Sequence, residues 1–111
     1  MIFITGPLFA GKRAYVSSAL GWTKEELRNN AVWDVQDLAA EAEDLEALAD
    51  RLAKYRVVIA TEVGSGVVPL DPEQRTAREA AGRLSCLLAD RADTVIRIFC
   101  GLPRALKGEL L

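Results

Sequence analysis

The residues best suited to chemistry stand at the start of the chain. Gly6-Pro7-Leu8-Phe9-Ala10-Gly11-Lys12 fits the G-x-x-x-x-G-K pattern of a phosphate-binding P-loop. In such a loop the glycines let the backbone curl until successive N–H groups face one anion. That anion sits at the positive end of the following helix. Lys12 would reach the β and γ phosphates as a mobile point charge. Gly6, Pro7, Leu8, Phe9, Ala10, Gly11, Lys12 and Arg13 are therefore the candidate nucleotide-binding residues, with Lys12 also a candidate catalytic group. The structural alternative is a plain turn at Gly6-Pro7 and a helix start at Gly11-Lys12. The residue after the lysine departs from the motif. A Ser or Thr there ligates Mg²⁺ through its hydroxyl, whereas Arg13 cannot ligate a metal. Ala14 offers no substitute, and Ser17 lies one helical turn further on. Three readings are open: Mg²⁺ held differently, a guanidinium neutralising phosphate in its place, or lost turnover.

Two acids follow the loop in the sequence. Asp34 closes a short apolar segment and is the candidate metal residue, placed like the acid that orients Mg²⁺ through water in P-loop proteins. The alternative is an N-cap for a helix over 35–39. Glu62 follows the strand-like run Tyr55-Arg56-Val57-Val58-Ile59-Ala60-Thr61. It is a candidate catalytic residue that could orient a substrate hydroxyl or a metal-bound water. A cap or a salt bridge to a helix arginine is equally open. The chain has no histidine, which removes the usual general base near neutral pH and any phospho- or nucleotidyl-histidine chemistry. Cys86 and Cys100 form neither a zinc pattern nor a disulfide framework, so a cytoplasmic location is expected. Trp22 and Trp33 are expected to pack, since neither has aromatic neighbours for a stacking platform. Cys86 is expected to pack beside a helix stripe.

These residues need elements to position them. Buried strands are expected at Met1-Ile2-Phe3-Ile4-Thr5, Ala31 to Val35, Tyr55 to Thr61 and Asp93 to Phe99, the third carrying a β-branched run. Arg97 implies that the last is partly exposed or at an edge. Helices are expected from Gly11 to Leu20 and, shorter, from Lys24 to Arg28. Leu38, Ala42, Leu45, Leu48, Ala49 and Leu52 recur at helical spacing. Asp71 before Pro72 signals the start of a helix that runs to about Asp90. Alternation of this kind predicts an α/β fold, a small P-loop NTPase-like three-layer domain spanning 1–111. Its sheet would have about four mostly parallel strands, flanked by helices. Ligands in such sheets bind beyond the carboxyl ends of the strands, where the loops after Thr5, Val35 and Thr61 converge.

At 111 residues, half of them hydrophobic, there is material for one core. A net charge of −2 gives no general attraction to nucleic acid, so phosphate recognition must be local and no nucleic-acid partner is expected. No apolar run approaches the ~18 residues of a membrane span, and the first five residues are too short for a signal peptide.

The second half of the chain carries a further pattern. Thr61-Glu62-Val63-Gly64-Ser65-Gly66-Val67-Val68-Pro69 leads into Arg75-Thr76-Ala77-Arg78-Glu79-Ala80-Ala81-Gly82-Arg83, then Ala92-Asp93, a strand, and Gly101-Leu102-Pro103. From about Val57 to Lys107 this resembles the adenosylcobinamide kinase/adenosylcobinamide-phosphate guanylyltransferase family of cobalamin biosynthesis. The resemblance implies a nucleotide-binding protein, with GTP or ATP and Mg²⁺ as cofactors. It also implies phosphoryl transfer to the hydroxyl of adenosylcobinamide, a corrinoid substrate, and a homo-oligomer, trimeric in that family. Lys12 would neutralise the transferred charge, Asp34 would orient Mg²⁺ and Glu62 would position the acceptor.

Departures accompany the likeness. Family members are longer, with a strand, a helix and the guanylylated histidine between the P-loop helix and the acid-ended strand. Without a histidine, guanylyl transfer by the family's mechanism is not expected. Thr61 stands for the family's Asn, Ser85-Cys86 for its Asn-Gln, and Arg13 for its P-loop serine. A catalytically degenerate nucleotide- or phosphate-binding or regulatory module is the alternative reading. Gly64 and Gly66 would allow tight backbone geometry. Arg75, Arg78 and Arg83 would serve phosphate or subunit contacts, or a solvated face. Gly82 inside a helix implies close packing there.

Overall fold

The computed structural model describes residues 1–63 and 71–111; Gly64, Ser65, Gly66 and Pro69 of the second-half pattern lie outside the described residues. Strand β1 (Ile2–Gly6) leads through the glycine loop to α1 (Lys12–Leu20) and α2 (Lys24–Asn30). Strand β2 (Ala31–Val32), a 3-10 helix (Val35–Leu38) and α3 (Leu45–Leu52) follow, then β3 (Val57–Thr61), α4 (Pro72–Arg91), β4 (Thr94–Phe99) and β5 (Leu102–Lys107). The strands lie in the order β2-β3-β1-β4-β5. All neighbours are parallel except β4 and β5. The fold is thus α/β, a mostly parallel sheet flanked by helices, as the alternation predicts.

Side-chain alternation along the strands builds a core on each face of the sheet. Phe3, Val58, Ala60 and Val95 point to one side, against Val35, Leu48, Leu84 and Leu88 of the 3-10 helix, α3 and α4. Ile4, Val57, Ile59, Ile96 and Ile98 point to the other, against Val16 of α1 and Leu27 of α2. Burial on both faces explains why β3 is apolar up to the threonine at its carboxyl end. Helix starts follow their capping chemistry. Thr23 Oγ1 accepts from Glu26 N at 3.1 Å while Glu26 Oε1 accepts from Thr23 N at 3.3 Å. Asp71 Oδ1 accepts from Glu73 N at 2.9 Å, with Pro72 opening the helix.

Several expectations are corrected. The helical pattern from Leu38 to Leu52 is interrupted: α3 begins only at Leu45, where Asp44 Oδ1 accepts from Glu46 N and Ala47 N at 3.0 and 3.2 Å. A carboxylate that satisfies backbone donors at a helix start competes with continuing the preceding turn. Strand β2 stops at Val32, because Asp34 adopts φ 57° and turns the chain into the 3-10 helix; aspartate tolerates this conformation better than most residues. A fifth strand joins the expected four. Cys100 and Gly101, both at positive φ, make the two-residue hairpin turn that places β5 at the sheet edge. Pro103 argues against a strand from sequence, but an edge strand tolerates it. Gly82 is not closely packed: a Cβ there would meet no described atom within 4 Å. Cys86 is exposed.

Candidate phosphate site at the carboxyl end of the sheet

The glycine loop leaves β1 at its carboxyl end under tight constraint. Gly6 has φ +155°, and a Cβ built there would lie 2.2 Å from the carbonyl oxygen of Ile98 in β4. Only glycine lets β1 pass this close to its neighbour as the loop begins. Phe9 at φ 60° and Gly11 at φ 87° then put two left-handed positions into the loop. Ala10 N donates to Pro7 O at 3.3 Å, and Gly101 N donates to Ala10 O at 3.0 Å. The β4–β5 turn therefore braces the loop, a support that no motif in the sequence announces.

Helix α1 opens at Lys12 with no side-chain cap and no acid in its first turn. Its first N–H groups consequently have no side-chain acceptor, and the positive end of the helix dipole is not offset locally. The Lys12 side chain is buried, at 8% exposure, and folds back over the loop. Its Nζ donates to Pro7 O at 2.7 Å and to Gly6 O at 3.2 Å. Beside it an open cavity of about 420 Å³ is lined by the loop from Leu8 to Ala14 and by Trp33, Asp34, Ile59 and Thr61. Of the residues expected to bind phosphate, Leu8 to Arg13 share one cavity with the candidate Asp34, within the size range of small-molecule sites, while Gly6 and Pro7 do not line it.

Burial pushes the Lys12 ammonium below the ordinary lysine range, while the Asp34 and Glu62 carboxylates pull it back up. Phosphate binding needs the charged form. Affinity for a polyphosphate should therefore fall as pH rises through this lowered value, earlier than for an unperturbed lysine. A bound polyanion raises the lysine again, so binding at alkaline pH should take up protons. Calorimetric titrations in buffers of different ionisation enthalpy measure that uptake; none in the alkaline range would remove Lys12 from the phosphate contact.

Asp34 occupies the N-cap position of the 3-10 helix, yet its side chain makes no capping hydrogen bond. It is exposed and is the one carboxylate lining the cavity. Glu62 lies beside the loop, its N–H donating to Gly6 O at 2.9 Å. Its carboxylate is engaged: Arg97 Nε lies 3.0 Å from both Oε1 and Oε2. The salt-bridge partner is a strand arginine rather than a helix arginine, and the pair holds the Arg97 guanidinium firmly protonated. Arg97 also lies 5.3 Å from the Phe99 ring centroid.

Sequence reasoning missed three positioning groups. Gln36 Oε1 accepts from Thr61 N at 2.9 Å and so fixes the end of β3 at the cavity. Arg97, read only as an edge signal, orients Glu62. Trp33 packs on the core as expected but also carries the Arg13 guanidinium 5.2 Å from its ring centroid. Trp22 carries Arg56 in the same way, at 5.4 Å. Arg75 and Arg83 are exposed on α4, and Arg78 is half-buried. A larger groove, about 1060 Å³, runs between α4 and the segment before α3 past Gly82, Arg83 and Cys86. It shares no lining residue with the loop cavity.

The donor set for a metal ion is poor. Among the described residues no group of three His, Cys, Asp or Glu side chains could hold one. Position 13 offers donors only, and Glu62 is committed to Arg97. These residues do not fit a protein-held Mg²⁺ of the usual P-loop kind.

With the loop, its lysine and the acid-ended strand in place, the comparisons with known proteins become decisive. The family model described as cobinamide kinase / cobinamide phosphate guanyltransferase matches residues 12–106. The chain belongs to this family. The match begins at Lys12, so the loop glycines before it rest on the geometry above. The bifunctional adenosylcobalamin biosynthesis protein CobP of Pseudomonas aeruginosa is 37% identical over 78 residues. That alignment covers 70% of this chain and 45% of CobP, so the matched stretch is under half of that relative's length. No helix among the described residues is long and apolar enough to cross a membrane.

Proposed function

We propose that this chain binds a purine nucleoside triphosphate, GTP or ATP, through Gly6 to Arg13 and acts in cobalamin biosynthesis as an adenosylcobinamide kinase. The observation that carries the reading is the buried Lys12, its Nζ folded back onto the carbonyls of the glycine loop at a helix start with no side-chain cap. In the reaction the γ-phosphoryl group passes from the nucleotide to the adenosylcobinamide hydroxyl, and the nucleoside diphosphate leaves. Lys12 neutralises charge on the transferring group. Glu62, oriented by Arg97, accepts a hydrogen bond from the acceptor hydroxyl. Guanylyl transfer is outside the proposal, because the chain has no histidine to carry the guanylyl group. A homo-oligomer, trimeric by family resemblance, is part of the same reading.

A second reading is nucleotide binding without turnover. Two observations favour it: Arg13 stands where a metal-ligating hydroxyl is needed, and both Glu62 oxygens are already bonded to Arg97. A radiolabelled γ-phosphate assay with adenosylcobinamide separates the readings. Label on the corrinoid, lost in Lys12→Ala, supports the kinase. Nucleotide binding by calorimetry without any transfer supports the module, and transfer that survives Lys12→Ala would mean the loop is not the site.

A further inference from the structure

We infer that Arg13, held against Trp33, supplies at the phosphate tail the positive charge that a divalent cation supplies in P-loops with Ser or Thr at this position, making nucleotide binding independent of metal. The inference rests on the nucleotide-binding reading above and specifies the charge chemistry of that same site.

Three observations lead there. Arg13 directly follows Lys12 in the first turn of α1 and lines the same cavity. Its guanidinium has no lone pair for a metal but five N–H donors in a planar fork suited to phosphate oxygens. The guanidinium is also held in place while its donors are left uncommitted. Trp33 attracts it at 5.2 Å from the ring centroid, and among the described residues Arg13 has no hydrogen bond or ion pair. A cation–π contact uses the ring face and leaves N–H groups free for an oxyanion. Finally, the charges at the cavity favour a polyanion without a metal. Lys12, Arg13 and the uncapped helix start are positive, and Asp34 is the one acid lining the cavity. With Arg13 present, a divalent cation placed at the same position would meet a like charge instead of a ligand.

The test is calorimetric titration of ATP, and of inorganic tripolyphosphate as the minimal probe, into the full chain with EDTA or with excess Mg²⁺. The dissociation constants should agree within about twofold in the two buffers. Arg13→Ser should weaken the EDTA titration by at least about tenfold, consistent with loss of a charge-assisted contact, and should acquire Mg²⁺ dependence. Asp34→Asn should tighten binding in EDTA, because it removes a negative charge beside the polyanion. Circular dichroism checks that both variants, changed at exposed side chains, are folded. Binding by the unaltered chain that appears only with Mg²⁺ would overturn this inference and leave the nucleotide reading standing. An Asp34→Asn loss confined to the Mg²⁺ buffer, or an Arg13→Ser variant with unchanged affinity in EDTA, would overturn it equally. Absence of binding in both buffers would overturn the nucleotide reading and this inference with it.

Discussion

Replacing Lys12 by methionine is expected to weaken ATP binding by roughly a hundredfold while leaving the thermal midpoint unchanged or higher. The loss follows from removing a charge-assisted contact to phosphate, for which about 3 kcal/mol is the upper end of single-contact values. The stability expectation comes from the burial of the ammonium. Its lowered pKa means that the folded chain holds this proton less tightly than the unfolded chain does. The charge therefore works against folding at neutral pH; that penalty begins to fade as pH rises through the lowered folded value and is gone above the unfolded lysine value. Methionine keeps the packing of the stem and removes the charge. Neither carbonyl that Nζ contacts is orphaned, because Gly6 O still accepts from Glu62 N and Pro7 O from Ala10 N. Isothermal titration and thermal melts on the same preparation measure both effects. A midpoint several degrees lower would show that Lys12 is a structural clamp instead.

Gly6→Ala should be among the most destabilising single changes in the molecule. The added methyl would sit 2.2 Å from Ile98 O and 3.2 Å from the Ile98 carbonyl carbon. Those atoms are backbone in the middle layer of the sheet, so no side-chain rotation relieves the overlap. Either β1 separates from β4 or the loop is redrawn. Overpacking and backbone strain together suggest a loss of roughly 3 kcal/mol or more, which for a domain of this size lowers the midpoint by roughly 10 °C or more. Gly21→Ala is the control. It also has positive φ, +66°, but nothing lies within 4 Å of its Cβ. It should lose only the strain, about 1–2 kcal/mol. Equal losses in the two variants would mean that the contact with Ile98 is not what fixes Gly6.

The exposed apolar residues need a different kind of attention. Leu102, Leu106 and Phe99 are each more than half exposed on the hairpin that braces the loop. The homo-oligomer proposed above would cover such a surface, and light scattering on the purified chain measures that state directly.

Sequence alone determined the parts that depend on local chemistry. A β-branched run buried on both faces can hardly be anything but a central strand, and β3 is one. A glycine loop between a strand and a helix needs no distant residue to be recognised. The caps at Thr23 and Asp71 work within three residues of themselves. The motifs after Thr61, though they fall partly outside the described residues, pointed to the family that the comparisons confirm.

What only the tertiary structure decided are the pairings between residues far apart in the chain. Gly6 reads as loop chemistry, yet its identity is also set by a backbone carbonyl of β4, 92 positions later. Glu62 looks free to do catalysis until Arg97 is folded against it, and Gln36 reads as a surface residue until it meets Thr61. Pro103 hides a strand that exists because the edge it occupies needs no second partner. Arg13 shows the division most sharply. As a letter it could mean lost metal or lost function. Only the fold places Trp33 under its guanidinium at the lining of the loop cavity. Local periodicity and capping act over a few residues and can be read in order; contacts across a sheet are made by chain segments whose separation in sequence carries no signal.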